Sequence, residues 1–265
     1  MPTTADYLSK LISQKNALAD NLVAKGVAAT HDETLETLVP KVLDITGGQT
    51  ITPESLGYVS GAVMFFDGEY NWGYKHGNNG LVWLNMCYDE IMIRESGTIG
   101  EKYCVKKSNS TNIFKTVSSV GYDSFTAEIV CDITAINTTA ENNLFSNFSD
   151  SGFGIYITNN KMNASMYDTN SYKGISFGDV VMNQVQTISM TYDGSTMKAF
   201  LNGALIGEKS IASYIKSSTV FGIGGSGTGK YFNYEMNIYR FSMYNRALTD
   251  SEISQNYNVD TGRFQ

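Results

Sequence analysis

The spacing of hydrophobic residues changes between the first 45 residues and the rest of the chain. Near the N-terminus, apolar residues recur at steps of three and four, which is the spacing of an amphipathic helix. They are Leu8, Leu11, Ile12, Leu18, Leu22 and Val23. Thr3 and Asp6 have the spacing of a capping box at its start, and Gly26 lies where the helix should end. The pattern therefore predicts a first α-helix.

A second apolar stretch predicts a shorter helix. Thr30 and Glu33 repeat the capping-box spacing, and Pro40 should end or kink the helix. Its apolar positions are Leu35, Leu38, Val39, Val42 and Leu43. The two helices form a predicted hairpin over residues 1–45, whose apolar stripe is too large for two isolated helices to hide. We therefore expect the hairpin to oligomerise, with a trimer favoured, or to dock on a partner.

A polar stretch containing Gly and Pro, residues 46–57, predicts a linker. From Tyr58 onward apolar and polar residues alternate, which is the spacing of β-strands. The predicted strands are 61–66, 82–87, 91–95, 112–120, 124–133, 143–148, 152–158, 161–167, 187–192, 197–201, 204–207, 219–223 and 232–244. Thr249 and Glu252 predict the start of one closing helix. This order predicts a mainly β fold, an antiparallel two-sheet sandwich over residues 58–265.

The composition is typical of a β-rich domain, and the charge and the apolar stretches indicate which classes of partner to exclude. The 265 residues include 25 Gly, 17 Tyr and 13 Phe against 3 Pro, and the net charge is −7. A protein that binds duplex nucleic acid needs a basic face to displace counterions from the phosphates. No stretch reaches the roughly 18 apolar residues of a spanning helix. We therefore expect neither nucleic acid nor a membrane as a partner.

The cysteines and histidines give no sign of a metal site. Cys87, Cys104 and Cys131 form no CxxC pair, and the chain has only two histidines. Structural zinc needs closely spaced thiolates or imidazoles. Three dispersed cysteines favour reduced, buried thiols over a disulfide. The N-terminus has no basic region followed by an apolar one, so we expect no secretory signal and folding in a cytoplasm.

Two short motifs favour structural explanations over ligand sites. Gly222–Gly227 satisfies the dinucleotide-binding pattern GxGxxG, but it lies between two predicted strands, so we interpret it as a glycine-rich connection. Asp67, Glu69 and Asn71 place oxygen ligands at alternate positions, as a calcium site would, but the Gly and Glu positions of an EF-hand loop are not matched. A turn is favoured there, with calcium as the alternative. We expect no cofactor and no metal.

Three segments resemble a known fold family. Ile188–Ile206 is similar to the paired hairpins of concanavalin A-like (laminin-G-like) jelly rolls. Ile238–Ile253 resembles their last strand and short helix, and Val63–Asn71, with Trp83 downstream, resembles their first strand and following loop. The resemblance covers about residues 58–262 and implies a jelly-roll sandwich. This scaffold carries lectins, glycosidases, adhesins and spacer modules, so it does not by itself specify a function.

Catalysis is not expected. The resemblance implies that a hydrolase of this fold would carry Glu-x-Asp-x-x-Glu on one strand, and the sequence contains no such run. Glycoside hydrolysis needs two carboxylates across one cleft. The nearest cluster is Asp89, Glu90 and Glu95, whose spacing places Asp89 and Glu90 on opposite faces of a strand. We therefore predict that the protein is not an enzyme.

The N-terminal segment carries a second resemblance. Leu11–Leu18, Lys25–Val27 and Glu33–Ile45 are similar to a helical module of tail and other virion proteins from phages of Gram-positive gut bacteria. This resemblance implies a virion protein, made in the cytoplasm of the bacterial host, whose hairpin attaches to other virion proteins. We expect it to present a lectin-like sandwich to bacterial surface glycans, as a tail or fibre protein. The alternative is a purely structural virion component, such as a capsid decoration, head fibre or tail-collar spacer, without glycan binding.

Aromatic residues in a polar segment give the predicted recognition site. Trp72, Tyr74 and His76 alternate in the predicted loop 71–79, so in an extended chain their rings would line one face. The alternative is a purely structural role, in which Trp72 packs at the rim of the sandwich. Tyr231 and Tyr234 form a second predicted cluster after the glycine-rich connection. If the protein binds a glycan, we expect these five side chains to contribute.

Overall fold

The computed structural model describes residues 3–24, 27–41, 51–69, 72–76, 80–84, 86–87, 91–94, 98–99, 104–106, 114–138, 140–169, 171–226 and 234–265. The chain divides into two compact units, the helical unit Met1–Ile51 and the β unit Thr52–Gln265. None of the helices within these ranges is long and apolar enough to cross a membrane. The boundaries 1–45, 46–57 and 58–265 stay predictions.

The helical unit begins as the sequence predicts. Helix α1 spans Thr4–Ala24, and Thr3 caps it: Thr3 Oγ1 accepts from the Asp6 backbone N–H at 3.3 Å, and the Thr3 backbone N–H donates to Asp6 Oδ2 at 2.6 Å. The second predicted start is wrong, because helix α2 spans only Leu35–Leu38 with Thr34 as its N-cap residue. Thr30 donates instead to Glu33 Oε1 at 2.8 Å in a turn that precedes the helix. The short α2 reflects Pro40, which cannot continue a helical hydrogen-bond ladder.

Only part of the apolar stripe of α1 is covered within the helical unit. Ala19, Leu22 and Leu38 are buried together. The turns nearer the N-terminus leave apolar side chains about half exposed or more; they are Tyr7, Leu8, Leu11 and Ile12. An open cleft of about 430 Å³ lies between Leu11 and Ile12 on α1 and Leu35 on α2. The unit therefore presents the apolar surface that the periodicity predicted.

The β unit confirms the predicted fold class, a sandwich of two antiparallel sheets. Its strands are β1 Ala62–Asp67, β2 Trp72–His76, β3 Gly80–Leu84, β4 Ile91–Arg94, β5 Thr98–Ile99, β6 Cys104–Lys106, β7 Phe114–Ser119, β8 Phe125–Ala135, β9 Asn142–Ser146, β10 Phe153–Thr158, β11 Lys161–Asp168, β12 Ser171–Asp179, β13 Val185–Tyr192, β14 Thr196–Leu201, β15 Ala204–Ser210, β16 Val220–Ile223 and β17 Glu235–Tyr244. A final helix, α3, spans Asp250–Phe264.

The strands pair in two sheets of eight and nine strands over the described residues. The eight-stranded sheet has the order β15-β14-β13-β8-β17-β6-β5, with β1 also paired to β17. The nine-stranded sheet has the order β12-β11-β10-β9-β16-β7-β4-β3-β2. Strands β2, β5, β6 and β12 were not predicted. In β12 most side chains are exposed or half-buried, so the apolar alternation that marks a strand is weak.

The core lies between the two sheets and is rich in phenylalanine. Phe125 stacks on Phe153 with ring centroids 4.1 Å apart, and Phe241 packs against Phe145 and Phe221 at 5.5 and 5.3 Å. These residues alternate with outward-facing positions along their strands. The alternation leaves two outer faces on the sandwich, one on each sheet.

Helix α3 covers the outer face of the eight-stranded sheet. Its capping box is the predicted one, with Thr249 N–H donating to Glu252 Oε2 at 2.8 Å. Between the helix and the sheet, Glu128 on β8, Arg240 on β17 and Asp260 on α3 are wholly buried. Arg240 donates from Nε and Nη2 to Asp260, both at 2.8 Å. We call these three residues the buried ion network.

The segment before β1 packs onto the same face. Tyr58 donates to Asp260 Oδ1 at 2.8 Å, and Gln255 Nε2 donates to the carbonyl of Gly57 at 3.0 Å. Leu56 packs against the cluster that contains Tyr58 and Phe65. Residues 52–57, which lie in the predicted linker, therefore belong to the β unit, and Leu56 and Gly57 pack on this face.

Candidate functional site

The predicted recognition segment is a strand, not a loop. Residues Trp72–His76 form β2, at one end of the nine-stranded sheet as described, with Trp72 opposite Trp83 and His76 opposite Gly80 on β3. The correction has a physical cause, because pairing with β3 gives the backbone of this polar segment hydrogen-bond partners. The register shifts between Trp72 and Lys75, which interrupts the simple alternation assumed for the three rings. The side chains of Trp72, Tyr74 and His76 lie outside the described part.

The second predicted cluster is also corrected. Tyr231 lies outside the described residues. Tyr234 is wholly buried in the core, where its hydroxyl donates to the carbonyl of Asn143. Burial raises the pKa of its hydroxyl far above the usual value, so it stays protonated. Tyr234 therefore packs in the core and is not available to contact a ligand at the surface.

The predicted turn after β1 is held by an arginine. Asp67 is buried and binds Arg263 of α3 through two hydrogen bonds of 2.6 and 3.0 Å, and Arg263 also donates to Glu69 at 3.0 Å. The carboxylates that suggested calcium therefore serve an ion pair. Asn71 lies outside the described residues. Within the described chain, no three His, Cys, Asp or Glu side chains lie close enough together to hold a metal ion.

The structure instead gathers aromatic side chains on the outer face of the nine-stranded sheet. Along β10, Phe153, Ile155 and Ile157 enter the core, so Tyr156 points outward between them. The pairing places Tyr156 opposite Asn143 on β9, and Tyr167 on β11 opposite Tyr172 on β12. Phe148 follows the end of β9. Neighbouring strands thus bring these rings to one surface.

The rings form a small cleft. Phe148 lies 6.0 Å from Tyr156 and 4.9 Å from Tyr172 between ring centroids, with interplanar angles of 78° and 76°. Tyr167 meets Tyr172 at 4.9 Å and 81°. The cleft has a volume of about 140 Å³ and is lined by Glu141, Phe148, Tyr156 and Tyr172. We call it the aromatic cleft.

Hydrogen bonds hold the tyrosines, and a small residue keeps the surface open. Tyr172 donates to the carbonyl of Ser151, and the Tyr156 hydroxyl accepts from Ser165 Oγ, both at 3.3 Å. Gly174 lies opposite Ser165 on β12, and a Cβ atom at this glycine would lie 2.8 Å from Ser165 Oγ. A larger side chain at position 174 would therefore displace the serine that orients Tyr156.

The charged groups at the aromatic cleft are carboxylates. Burial raises the pKa of Glu141, and a 3.3 Å hydrogen bond from Asn143 Nδ2 opposes part of this rise. Burial first, and then the carboxylates of Asp150 and Glu141, raise the pKa of Tyr172 to about 12. Tyr172 therefore stays a neutral hydroxyl at physiological pH. The cleft offers apolar ring surface, hydroxyl groups and one half-buried carboxylate.

Neither of the two thiols that the structure describes is activated for nucleophilic chemistry. Cys131 is buried in the core, and Cys87 is half-buried. Burial and the nearby Glu54 raise the pKa of Cys87 to about 11, so it is a protonated thiol at neutral pH. Burial likewise raises the pKa of Cys131. Both described thiols are therefore protonated at neutral pH.

Sequence reasoning missed the aromatic cleft for an identifiable reason. Tyr156 and Tyr167 lie in strands that the sequence predicted, but Tyr172 lies in β12, which it did not. The available signal was the presence of tyrosines at the outward positions of β10 and β11, where polar residues are expected. Only the pairing of β11 with β12 brings the third tyrosine beside them.

Residues 107–254 match the sequence model of the concanavalin A-like lectin/glucanases superfamily. Among solved structures, the receptor-binding domain of botulinum neurotoxin type G is similar at 19% identity and a TM-score of 0.57, over 76% of this chain and 52% of that chain. The binding domain of Paraclostridial Mosquitocidal Protein 1 is similar at 16% identity and a TM-score of 0.57, over 75% and 52%.

The botulinum neurotoxin serotype D ligand-binding domain, in complex with N-acetylneuraminic acid, is similar at 16% identity and a TM-score of 0.56, over 75% of this chain and 50% of that chain. At these identities the likeness concerns the fold alone, and this chain spans about half the length of those structures. A search of curated proteins finds no match.

Proposed function

We propose that this chain, which belongs to the concanavalin A-like lectin/glucanases superfamily, is a glycan-binding attachment protein of a phage virion. The observation that carries the proposal is the aromatic cleft on the outer face of the nine-stranded sheet. Exposed aromatic surface is costly in water unless a partner covers it. Sugars pack their C–H faces on aromatic rings while their hydroxyl groups bond to polar edges. The hydroxyls of Tyr156 and Tyr172 supply such edges beside apolar rings.

A binding role is proposed in preference to catalysis. Glycoside hydrolysis uses two carboxylates about 5–9 Å apart across the scissile bond. Of the four side chains that line the aromatic cleft, only Glu141 is a carboxylate. A single carboxylate among the lining side chains supports recognition of a ligand rather than its cleavage.

The helical unit supports the proposed attachment to other virion proteins. Leu8, Leu11 and Ile12 leave an apolar surface on α1 that packing within the helical unit does not cover. We propose that this surface joins three copies of the chain and anchors them on the particle. A shallow glycan site of millimolar affinity corresponds to about 4 kcal/mol, and linking copies raises the effective affinity roughly 10²-fold or more when they engage together.

The test measures adsorption of the full chain to host cells and to purified host surface glycan. The variant carrying both Tyr156→Ala and Tyr172→Ala is expected to lose adsorption while keeping its fold. Ile206→Ala is the matched control, because Ile206 is 41% exposed against 42% for Tyr172 and lies on β15 of the other sheet. The variant carrying Trp72→Ala and Tyr74→Ala tests the β2 segment separately.

Each outcome decides between the proposed roles. Loss of adsorption in the Tyr156/Tyr172 variant alone supports the aromatic cleft. Loss in the Trp72/Tyr74 variant alone moves the site to β2. If the wild-type chain docks on virions but binds no host glycan, the protein is the purely structural component that the sequence left as the alternative.

A further inference from the structure

We propose that the aromatic cleft accepts an organic ammonium group carried by the glycan, with Glu141 as its counter-ion. The rings of Phe148, Tyr156 and Tyr172 form the walls around this group. The inference rests on the proposed function and names the chemical class of ligand that the same site selects. The ammonium group has two sources, an amino sugar or an alkylammonium substituent, which the experiment separates.

Two of the three rings of the cleft stand at steep angles to the third. Phe148 is nearly perpendicular to both Tyr156 and Tyr172, so the three rings do not form one flat platform. Together with Glu141 they line a small concave volume. An ammonium group is attracted to the face of an aromatic ring within about 6 Å of its centroid, and recognition of such groups by aromatic cages depends on this geometry. The volume of about 140 Å³ suits one head group rather than a whole sugar chain.

Glu141 has no cationic partner among the described residues. Its carboxylate is half-buried between aromatic walls, and the described residues give it no ion pair with Lys or Arg. Its hydrogen-bond partner is the neutral side-chain amide of Asn143. A carboxylate removed from water without a cation is costly. A ligand cation would restore the missing charge, and aromatic walls would strengthen the attraction by excluding water.

A buried side-chain amide with an unsatisfied acceptor lies beside the carboxylate. Asn143 is wholly buried, and its Oδ1 atom has no hydrogen-bond partner in the described structure while its Nδ2 donates to Glu141. Asn143 lies opposite Tyr156 in the strand pairing, so it belongs to the same part of the sheet. Asn143 does not line the cleft, so its part is to position Glu141, and the group that the cleft presents to a positively charged donor is the Glu141 carboxylate.

The same charges disfavour an anionic ligand. Asp150 adds a second carboxylate whose field reaches Tyr172, and the whole chain carries a net charge of −7. A sugar acid would be repelled by Glu141. The cleft is thus expected to differ from a site for N-acetylneuraminic acid, the anionic sugar in the similar serotype D structure.

The experiment compares small probes on the full chain by calorimetry or saturation-transfer NMR. The probes are glucosamine, N-acetylglucosamine, tetramethylammonium and N-acetylneuraminic acid. We expect glucosamine or tetramethylammonium to bind the wild type about tenfold or more tightly than N-acetylglucosamine, since one charge-assisted contact supplies that difference. The stronger of the two cations identifies the source of the ammonium group. N-acetylneuraminic acid should bind most weakly.

Glu141→Gln is the decisive variant, with Glu208→Gln as the matched control, since Glu208 is an exposed carboxylate on β15. Glu141→Gln should bring the affinity ratio between cationic and neutral probes to about one, and Glu208→Gln should leave it unchanged. An unchanged ratio in Glu141→Gln overturns the inference. If neither glucosamine nor tetramethylammonium binds the wild type more tightly than N-acetylglucosamine, the inference is also overturned, but the proposed glycan binding stays intact. If no probe and no host glycan binds, both proposals fail.

Discussion

The two outer faces of the sandwich differ in whether a buried charge has a partner of opposite charge. On the eight-stranded sheet, Arg240 lies between Glu128 and Asp260, and helix α3 seals all three from water. On the nine-stranded sheet, Glu141 lies half-buried with an amide as its hydrogen-bond partner. A charge whose partners come from the chain itself fixes the fold. A charge without a cation among its described neighbours is where a ligand can supply one.

The buried ion network is saturated with hydrogen bonds. Glu128 accepts from Asn256 at 2.7 Å, Ser242 at 3.1 Å and Ser189 at 3.2 Å. Thr187 and Tyr58 donate to Asp260. Burial lowers the pKa of Arg240, but the carboxylates of Asp260 and Glu128 outweigh it and hold the pKa above its usual value. Arg240 therefore stays charged, and the network joins α3 to β8, β13 and β17.

The largest predicted effect concerns this network. Arg240→Met leaves Glu128 and Asp260 buried without their cation, which should lower the free energy of unfolding by about 3–5 kcal/mol. Urea unfolding measures the change. The control is Lys161→Met, which removes an exposed pair with Asp179 and should lose less than about 1 kcal/mol. Similar losses in both variants would mean that the network does not hold α3.

A smaller effect separates a core tyrosine from a cleft tyrosine. Tyr234→Phe removes the donor to the buried carbonyl of Asn143 and should cost about 1–3 kcal/mol. Tyr172→Phe removes a partly exposed hydroxyl and should cost less, because water replaces the lost bond. Thermal unfolding compares the two variants. Equal losses, or loss of glycan binding in Tyr234→Phe at unchanged stability, would contradict the assignment of Tyr234 to the core.

The smallest predicted effect is a pH dependence at the start of α3. Hydrogen bonds from Arg246, together with those from Thr249, hold the pKa of Glu252 at about 2, below its ordinary value of 4.5. A depressed pKa stabilises the folded state above pH 4.5, and this contribution is lost as the pH falls towards 2. The unfolding free energies of wild type and Glu252→Gln should therefore converge over this range. A constant difference would show that the carboxylate charge is not involved.

Most strands and the start of α3 are predictable from the sequence, because the patterns that mark them are local. Phe153, Ile155 and Ile157 alternate with outward residues, and Thr249 and Glu252 lie three positions apart. The same local spacing misleads at Thr30 and Glu33, where Thr34 is the real N-cap residue of α2. A capping-box pattern does not distinguish a helix start from a turn.

The candidate site was not predictable because it depends on contacts between distant segments. Tyr172 lies beside Tyr167 only because β12 pairs with β11. Phe148, which follows the end of β9, contacts both Tyr156 and Tyr172. Tyr234 shows the converse, since its polar surroundings in the sequence suggest exposure while its contacts bury it. Burial of a tyrosine is decided by which strand covers it, and single-sequence patterns do not contain that information.

The most direct test of the central claim is an amide NMR titration of the full chain with host surface glycan. The claim is that the outer face of the nine-stranded sheet, at the aromatic cleft, binds the ligand. The predicted result is that shift changes concentrate at Glu141, Phe148, Tyr156 and Tyr172, while Glu128 and Arg240 on the other face stay unchanged. Shift changes confined to residues 71–79, or no change at saturating glycan, would contradict it.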